Sequence, residues 1–113
     1  LFQADNCNLQ IPAKLYEYLY VGRPVMGLTD PAGDTGRLMA ELGIDAVARL
    51  DDVAAIKALV LRCVQQVTAG TAYAPPRDTV MRFSRAGTTG LLARFLDELV
   101  LGTCGVDESS SSR

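Results

Sequence analysis

The chain has 113 residues, of which 49% are hydrophobic, and this is enough to bury the core of one domain. Its 11 lysines and arginines and 13 aspartates and glutamates leave a formal net charge of −2, which argues against a general nucleic-acid-binding protein. It contains no histidine, which excludes Ser-His and Cys-His nucleophile pairs and histidine-ligated metal sites within this chain.

The first twenty residues predict the end of a strand, a turn and a helix. Residues 1–4 are typical of the tail of a buried strand, and the polar stretch 5–8 predicts a turn. Pro12 suits the first helical position because its φ is fixed near the helical value. The helix is predicted over 13–20, with Gly22 as its left-handed stop.

The next segment repeats the strand–helix–strand order. The apolar run 24–28 predicts a strand, and the Asp-, Gly- and Pro-rich stretch 29–34 predicts a loop. A second amphipathic helix is predicted over 35–42, closed by Gly43, and a further strand over 44–48.

Two more helices are predicted in the second half of the chain. Asp51 or Asp52 is expected to cap the first, whose apolar positions follow helical spacing: Val53, Ile56, Leu59, Val60, Cys63, Val64 and Val67. A loop over 70–78 precedes a last helix, which Ser84 is expected to cap. The expected apolar face of that helix is formed by Leu91, Leu92, Phe95, Leu96 and Leu99.

Strands that alternate with helices predict an α/β fold with parallel strands and right-handed crossovers. We expect a partial Rossmann-like sheet of about three strands, flanked by helices and followed by a C-terminal helix. Residues 1–102 are expected to form this unit, and residues 103–113, with four consecutive serines, a disordered tail. Because such sheets usually contain five or six strands, we expect further strands before Leu1 in a longer protein.

Ligands of open parallel sheets bind beyond the carboxyl ends of the strands, where the loops 5–11, 29–34 and 49–51 are expected. The helix predicted over 13–20 begins after the first of these loops. Its first backbone N–H groups, at Ala13 and Lys14, have no acceptor within the helix and would attract a phosphate. The Glu17 carboxylate, one turn later, suits a pair of ribose hydroxyls. The alternative from spacing alone is an exposed Lys14–Glu17 ion pair on a solvated helix.

The loop 29–34 lacks the glycine spacing of phosphate-binding loops. Its aspartates, Asp30 and Asp34, favour turn and cap chemistry, with Asp34 or Thr35 as a helix cap, over a carboxylate pair for acid–base catalysis. The three cysteines match no metal-binding pattern, and their odd number indicates reduced thiols in a cytoplasmic protein.

The segment 11–25, which reads IPAKLYEYLYVGRPV, closely resembles the IP-x-K-[LF]-[FY]-E-Y-L-x-x-G-[KR]-P-[VI] segment of GT-B-fold glycosyltransferases of the family 4 type (glycosyl transferases group 1). A weaker likeness extends from about Leu1 to Leu99. In that family, two Rossmann-like domains enclose a cleft, and the C-terminal domain binds the nucleotide-sugar donor. The resemblance therefore implies that this chain is part of a donor-binding domain.

The resemblance assigns roles to five positions. The glutamate at Glu17 would bind the ribose hydroxyls of the donor. Lys14 is a sixth candidate, because it adds a positive charge to the first turn of the helix, where a phosphate is expected. The backbone of Gln10, Ile11, Pro12 and Ala13 would lie near the donor's diphosphate and sugar. The implied reaction transfers a glycosyl group with retention, needs no metal or other cofactor, and uses no catalytic residue from this chain.

Many members of the family carry a second glutamate eight residues before the first, and here that position is Leu9. A sugar or lipid-linked acceptor would bind through an N-terminal domain. The resemblance places the full enzyme in the cytoplasm or at the periphery of the inner face of the membrane. The fragment alone is expected to be inactive. The alternative is a non-enzymatic α/β interaction or regulatory module that pairs through an open sheet edge. A receiver- or flavodoxin-like domain is disfavoured, since no acidic cluster or flavin-phosphate loop is visible.

Overall fold

The computed structural model describes residues 1–107, and it describes their side chains except those of residue 5 and residues 103–107. The chain forms two compact units, residues 1–80 and the part that begins at Met81. A 3-10 turn spans Asp5–Cys7, and the further elements are α1 (Ala13–Val21), β1 (Gly27–Leu28), α2 (Asp34–Glu41), β2 (Val47–Ala48), α3 (Val53–Ala69), α4 (Arg77–Met81) and α5 (Arg85–Asp107).

The first unit is built on a small parallel sheet of two strands. Gly27 pairs with Val47 and Leu28 with Ala48, so β1 and β2 lie side by side in parallel. Phe2 adds a single parallel bridge to Leu28 on the other side of β1. The fold is thus α/β and mostly helical, as predicted in outline, whereas the expected sheet of about three strands is not confirmed. The extended segment ends early because a 3-10 turn begins only three residues after Phe2.

Side chains on the two faces of this sheet pack into two apolar clusters. Alternate residues of a strand point to opposite faces. Accordingly, Val25 belongs to a cluster with the buried leucines of α1 and α2, whereas Leu28 belongs to a cluster with Leu59 of α3. The first cluster consists of Leu15, Leu19, Val25, Leu38, Met39, Leu42, Ile44 and Val80.

Helix α1 forms where the sequence predicts it and buries the side chains of Leu15 and Leu19, one turn apart. Gly22 follows at φ 74°, a left-handed conformation that ends the helix at the expected place. Pro12 is the N-cap at φ −62° and ψ 135°, and the first helical residue is Ala13. The predicted place of Pro12 was therefore wrong by one residue.

The start of α2 differs from the prediction in how it is capped. The N-cap is Gly33, which has no side chain to accept a hydrogen bond, and neither Asp34 nor Thr35 takes that role. Asp34 is instead the first helical residue, where a carboxylate interacts favourably with the helix dipole. The Thr35 hydroxyl is directed toward another loop, as described below.

Helix α3 begins after Asp52, whose carboxylate accepts a hydrogen bond from the Ala55 N–H at 2.9 Å. This resolves the choice between Asp51 and Asp52 as the cap. The predicted apolar face is only partly used, because Leu59 is buried while four valines on this helix are exposed: Val53, Val60, Val64 and Val67. The sheet against which α3 packs is only two strands wide and covers one narrow stripe of the helix.

Helix α4 was not predicted, since its residues were assigned in part to a loop. Val80 joins the first apolar cluster, and the Arg77 guanidinium lies 5.4 Å from the ring centre of Tyr20. These two contacts hold residues 77–80 of α4 in the first unit.

In the second unit, the Ser84 hydroxyl accepts a hydrogen bond from the Gly87 N–H at 3.1 Å, which confirms Ser84 as the cap of α5. The apolar side chains from Leu91 to Leu101 are each more than half exposed. The helix extends to Asp107, and the rest of the predicted tail lies outside the described residues. Within residues 1–107, no helix has the length and hydropathy needed to cross a bilayer.

Candidate functional site

The three loops predicted at the carboxyl ends of the strands meet in the structure. The Asn8 side-chain amide donates to the Asp30 carboxylate at 3.1 Å, and the Arg49 guanidinium lies 3.6 Å from the same carboxylate. The Asp34 N–H donates to the Asn8 carbonyl at 2.8 Å. Parallel strands place these loops together because their carboxyl ends lie at one edge of the sheet.

Asp30 organises the loop that follows β1. One of its carboxylate oxygens accepts the Ala32 N–H at 2.9 Å, which closes a tight turn. The other accepts from Asn8. Because Arg49 lies nearby, the carboxylate is partly neutralised, and its repulsion of a phosphate is reduced. The interpretation of this loop as turn chemistry is therefore confirmed for Asp30.

A buried polar cluster lies beneath the loop before α1. Gln3 is 6% exposed, and its amide nitrogen donates to the carbonyls of Cys7 and Gln10, each at 2.6 Å. Its amide oxygen accepts from the Thr29 hydroxyl at 3.0 Å. The Thr35 hydroxyl donates to the Gln10 carbonyl at 3.1 Å. Buried polar groups of this kind must be paired, and the side chains of Gln3, Thr29 and Thr35 are.

The amino end of α1 presents backbone donors at this edge. Pro12 offers no side-chain oxygen as a cap, and the first N–H to bond back is that of Leu15, to the Pro12 carbonyl at 3.0 Å. Within the described part of the chain, the N–H groups of Ala13 and Lys14 have no acceptor. These groups carry the positive end of the helix dipole and can bind an anion.

The structure places the six predicted site residues as a continuous strip along this loop and helix. Gln10, Ala13, Lys14 and Glu17 are exposed, whereas Ile11 and Pro12 are half-buried. Among residues 1–107, no ion pair joins Lys14 to Glu17, so the exposed pair considered as an alternative is not formed. Both side chains remain accessible to a ligand.

Arg49 also organises the loop after β2. Its guanidinium donates to both carboxylate oxygens of Asp51, at 3.1 and 3.3 Å. This fork lowers the pKa of the Asp51 carboxyl, because the hydrogen bonds and the positive charge favour the ionised form. The result is a charged cluster of Arg49, Asp51 and Asp30 that joins the loops after β1 and β2.

Sequence reasoning did not select Gln3, and it included Arg49 only as part of the candidate loop 49–51, without a role. A signal was available for each. Gln3 is a polar residue within a stretch otherwise typical of a buried strand, and Arg49 comes directly after the second predicted strand. A charged or amide side chain at the carboxyl end of a strand is well placed to act on the loops there.

Two further features bear on ligands of this region. In the part of the chain that the structure describes, no group of three or more cysteine, aspartate or glutamate side chains could hold a metal ion. The Asn8 amide oxygen is buried without a hydrogen-bond partner among the described residues.

Comparison of the chain with models of protein families, with curated proteins and with solved structures gives no significant match.

Proposed function

We propose that this chain is the nucleotide-sugar-binding part of a retaining glycosyltransferase, with a partial Rossmann-like sheet from the C-terminal domain of a GT-B fold. The observation that carries the proposal is the segment 11–25, which resembles the donor-binding segment of that family. The described geometry supports it, because this segment forms a loop and helix α1, which begins among the loops at the carboxyl edge and is followed by β1.

The proposed binding mode assigns a separate part of the donor to each group. The N–H groups of Ala13 and Lys14 and the Lys14 ammonium bind the negatively charged diphosphate. The Glu17 carboxylate, one turn along α1, accepts hydrogen bonds from two ribose hydroxyls. The backbone from Gln10 to Pro12 lies beside the diphosphate and the sugar.

The remaining parts of the proposal concern the longer protein. The donor itself supplies the leaving group, so no further cofactor is required. The acceptor, a sugar or a lipid-linked sugar, binds to a second domain, and the enzyme acts in the cytoplasm or at the inner face of the membrane. We expect the 113-residue chain to bind nucleoside diphosphates and to lack transferase activity, because stabilisation of the departing diphosphate requires groups from elsewhere.

The test is a titration of the isotope-labelled chain with uridine, guanosine and adenosine diphosphates, followed by nuclear magnetic resonance. We expect saturable shifts of the amide signals from residues 9–17 with one nucleotide at millimolar concentration or below. Glu17→Gln should lower the affinity for that nucleotide about tenfold, because the variant loses charge-assisted hydrogen bonds to the ribose. Glu41→Gln changes an exposed glutamate on α2 in the same way and should leave affinity unchanged.

Two results would contradict the proposal. One is the absence of saturable shifts with any of the three nucleotides. The other is equal affinity of the wild type and the Glu17→Gln variant, which would remove the role of that carboxylate.

One observation favours the non-enzymatic alternative. Within residues 1–107, β2 pairs with β1 alone, so no strand covers its other edge, where a further strand could add. Sedimentation of the chain at increasing concentration tests this function. A dimer that forms without nucleotide, together with no nucleotide binding, would favour an interaction module.

A further inference from the structure

The Gln10 carbonyl receives hydrogen bonds from two buried side chains. The Gln3 amide nitrogen donates at 2.6 Å and the Thr35 hydroxyl at 3.1 Å, and these side chains come from the segment before β1 and from α2. Gln3 is 6% exposed and Thr35 is 1% exposed. Two separate elements therefore fix the direction of one loop carbonyl.

The direction of that carbonyl sets the direction of the next N–H. In a trans peptide the C=O and the following N–H point to opposite sides, and the described chain has no cis peptide bond. Because the Gln10 oxygen is turned inward to Gln3 and Thr35, the Ile11 N–H is turned outward. It precedes the N–H groups of Ala13 and Lys14, since Pro12 has none.

The orientation of the Gln3 amide is determined by its partners. Its nitrogen faces two carbonyl oxygens, which only accept hydrogen bonds, so the NH₂ group must lie on that side. The Thr29 hydroxyl then donates to the amide oxygen at 3.0 Å. Thr29 is 1% exposed, and it directly follows Leu28 of β1, which pairs with Ala48 on one side and Phe2 on the other.

We infer that Gln3 and Thr35 are positioning residues, which turn the Ile11 N–H outward so that it joins the amino end of α1 in binding the diphosphate of a nucleotide. This inference rests on the proposed function. It adds one backbone donor to the site and names the buried side chains that aim it. Neither positioning residue touches the ligand.

The test compares two probes in titrations of the full chain: inorganic pyrophosphate, and the nucleoside whose diphosphate binds most tightly. Thr35→Val removes the hydroxyl and keeps the shape of the side chain. We expect Thr35→Val to lower the affinity for pyrophosphate about tenfold. The Gln10 carbonyl loses one of its two donors, so the Ile11 N–H is no longer held in place. Nucleoside affinity should change less than twofold, since Ile11 does not contact the ribose or base.

A matched control separates positioning from a general loss of structure. Thr68 also donates its hydroxyl to a backbone carbonyl, that of Val64, at 2.8 Å on α3, away from the loop. Thr68→Val should leave both affinities unchanged. Thr29→Val provides a second test, because it releases the Gln3 amide oxygen and should weaken pyrophosphate in the same selective way.

The outcomes are distinct. Failure of pyrophosphate and of every nucleotide to bind the wild type would overturn the proposed function, and the inference with it. Binding of pyrophosphate to the wild type and, with equal affinity, to Thr35→Val and Thr29→Val would overturn the inference alone. Equal weakening of pyrophosphate and nucleoside in these folded variants would also overturn it, because it would show a purely structural role.

Discussion

The side-chain amide of Gln3 donates a hydrogen bond to the backbone carbonyl of Gln10 at a distance of 2.6 Å. The same nitrogen donates to Cys7, so one buried side chain closes the loop between the first extended segment and α1. Only Ile11 of this loop packs, half-buried, against the first apolar cluster among the described side chains. The buried hydrogen bonds of Gln3 therefore contribute to the loop conformation beside that one apolar contact.

Replacement of Gln3 by leucine is expected to destabilise the first unit by about 2–3 kcal/mol. The change leaves the Cys7 and Gln10 carbonyls without this donor and the Thr29 hydroxyl without its acceptor, and unpaired buried polar groups are costly. Urea unfolding, followed by circular dichroism, measures the effect.

Gln65→Leu is the matched control, because it makes the same chemical change at an exposed position on α3. Its free energy of unfolding should stay within about 0.5 kcal/mol of the wild type. Equal stability of Gln3→Leu and Gln65→Leu would show that the loop does not depend on the Gln3 amide.

Gly36→Ala should destabilise the chain although alanine favours helices. A Cβ atom at Gly36 would lie 2.5 Å from the Asp30 carbonyl oxygen and 2.6 Å from the Pro31 backbone, which cannot move without opening the turn. We expect a loss of about 1–3 kcal/mol from this overlap in thermal unfolding.

Gly90→Ala provides the comparison, because no atom lies within 4 Å of the corresponding Cβ on α5. Helix propensity is then the only expected effect. The free energy of unfolding of α5, followed by its helical circular dichroism signal, should rise by up to about 1 kcal/mol. A gain of stability for Gly36→Ala as well would mean that α2 does not approach the Asp30 turn closely.

Helices α1, α2 and α3 could be predicted because their signals are local. Spacing of Leu15 and Leu19 and a following glycine are enough to place α1, and an aspartate before an apolar repeat places α3. The short apolar segments predicted as strands are confirmed only at Gly27–Leu28 and Val47–Ala48. How far a strand pairs depends on its neighbours, which the local sequence does not contain.

The sequence was sufficient to predict where the candidate site lies. It was not sufficient to predict the hydrogen bonds that hold the loops of the site. The order of strands and loops is sufficient to bring Asn8, Asp30 and Arg49 to one edge. The pairing of Gln3 with Gln10 has no periodic signal, because it joins a side chain to a backbone carbonyl across a turn. The exposed valines of α3 show the reverse case, since helical spacing indicates an apolar face without showing whether a partner covers it.

Asp52→Ala is expected to cost about 1 kcal/mol, because the Ala55 N–H at the start of α3 loses its acceptor. Asp52→Asn keeps an oxygen at that position and should cost much less. Chemical denaturation measures both changes. Asp51→Ala removes the neighbouring carboxylate, which does not cap the helix, and a larger loss for this variant than for Asp52→Ala would contradict the assignment.

Arg49→Met should raise the pKa of the Asp51 carboxyl toward its ordinary value, since the guanidinium fork that favours the ionised form is lost. Because the folded-state pKa is lowered, this interaction stabilises the fold above the unfolded-state pKa and is lost as the pH falls through the folded-state value. Nuclear magnetic resonance titration of the Asp51 side-chain carbon measures the change. Arg62→Met, which removes an arginine paired with Asp45, should leave the Asp51 titration unchanged. An Asp51 pKa that is the same in the wild type and in Arg49→Met would show that the pair does not persist in solution.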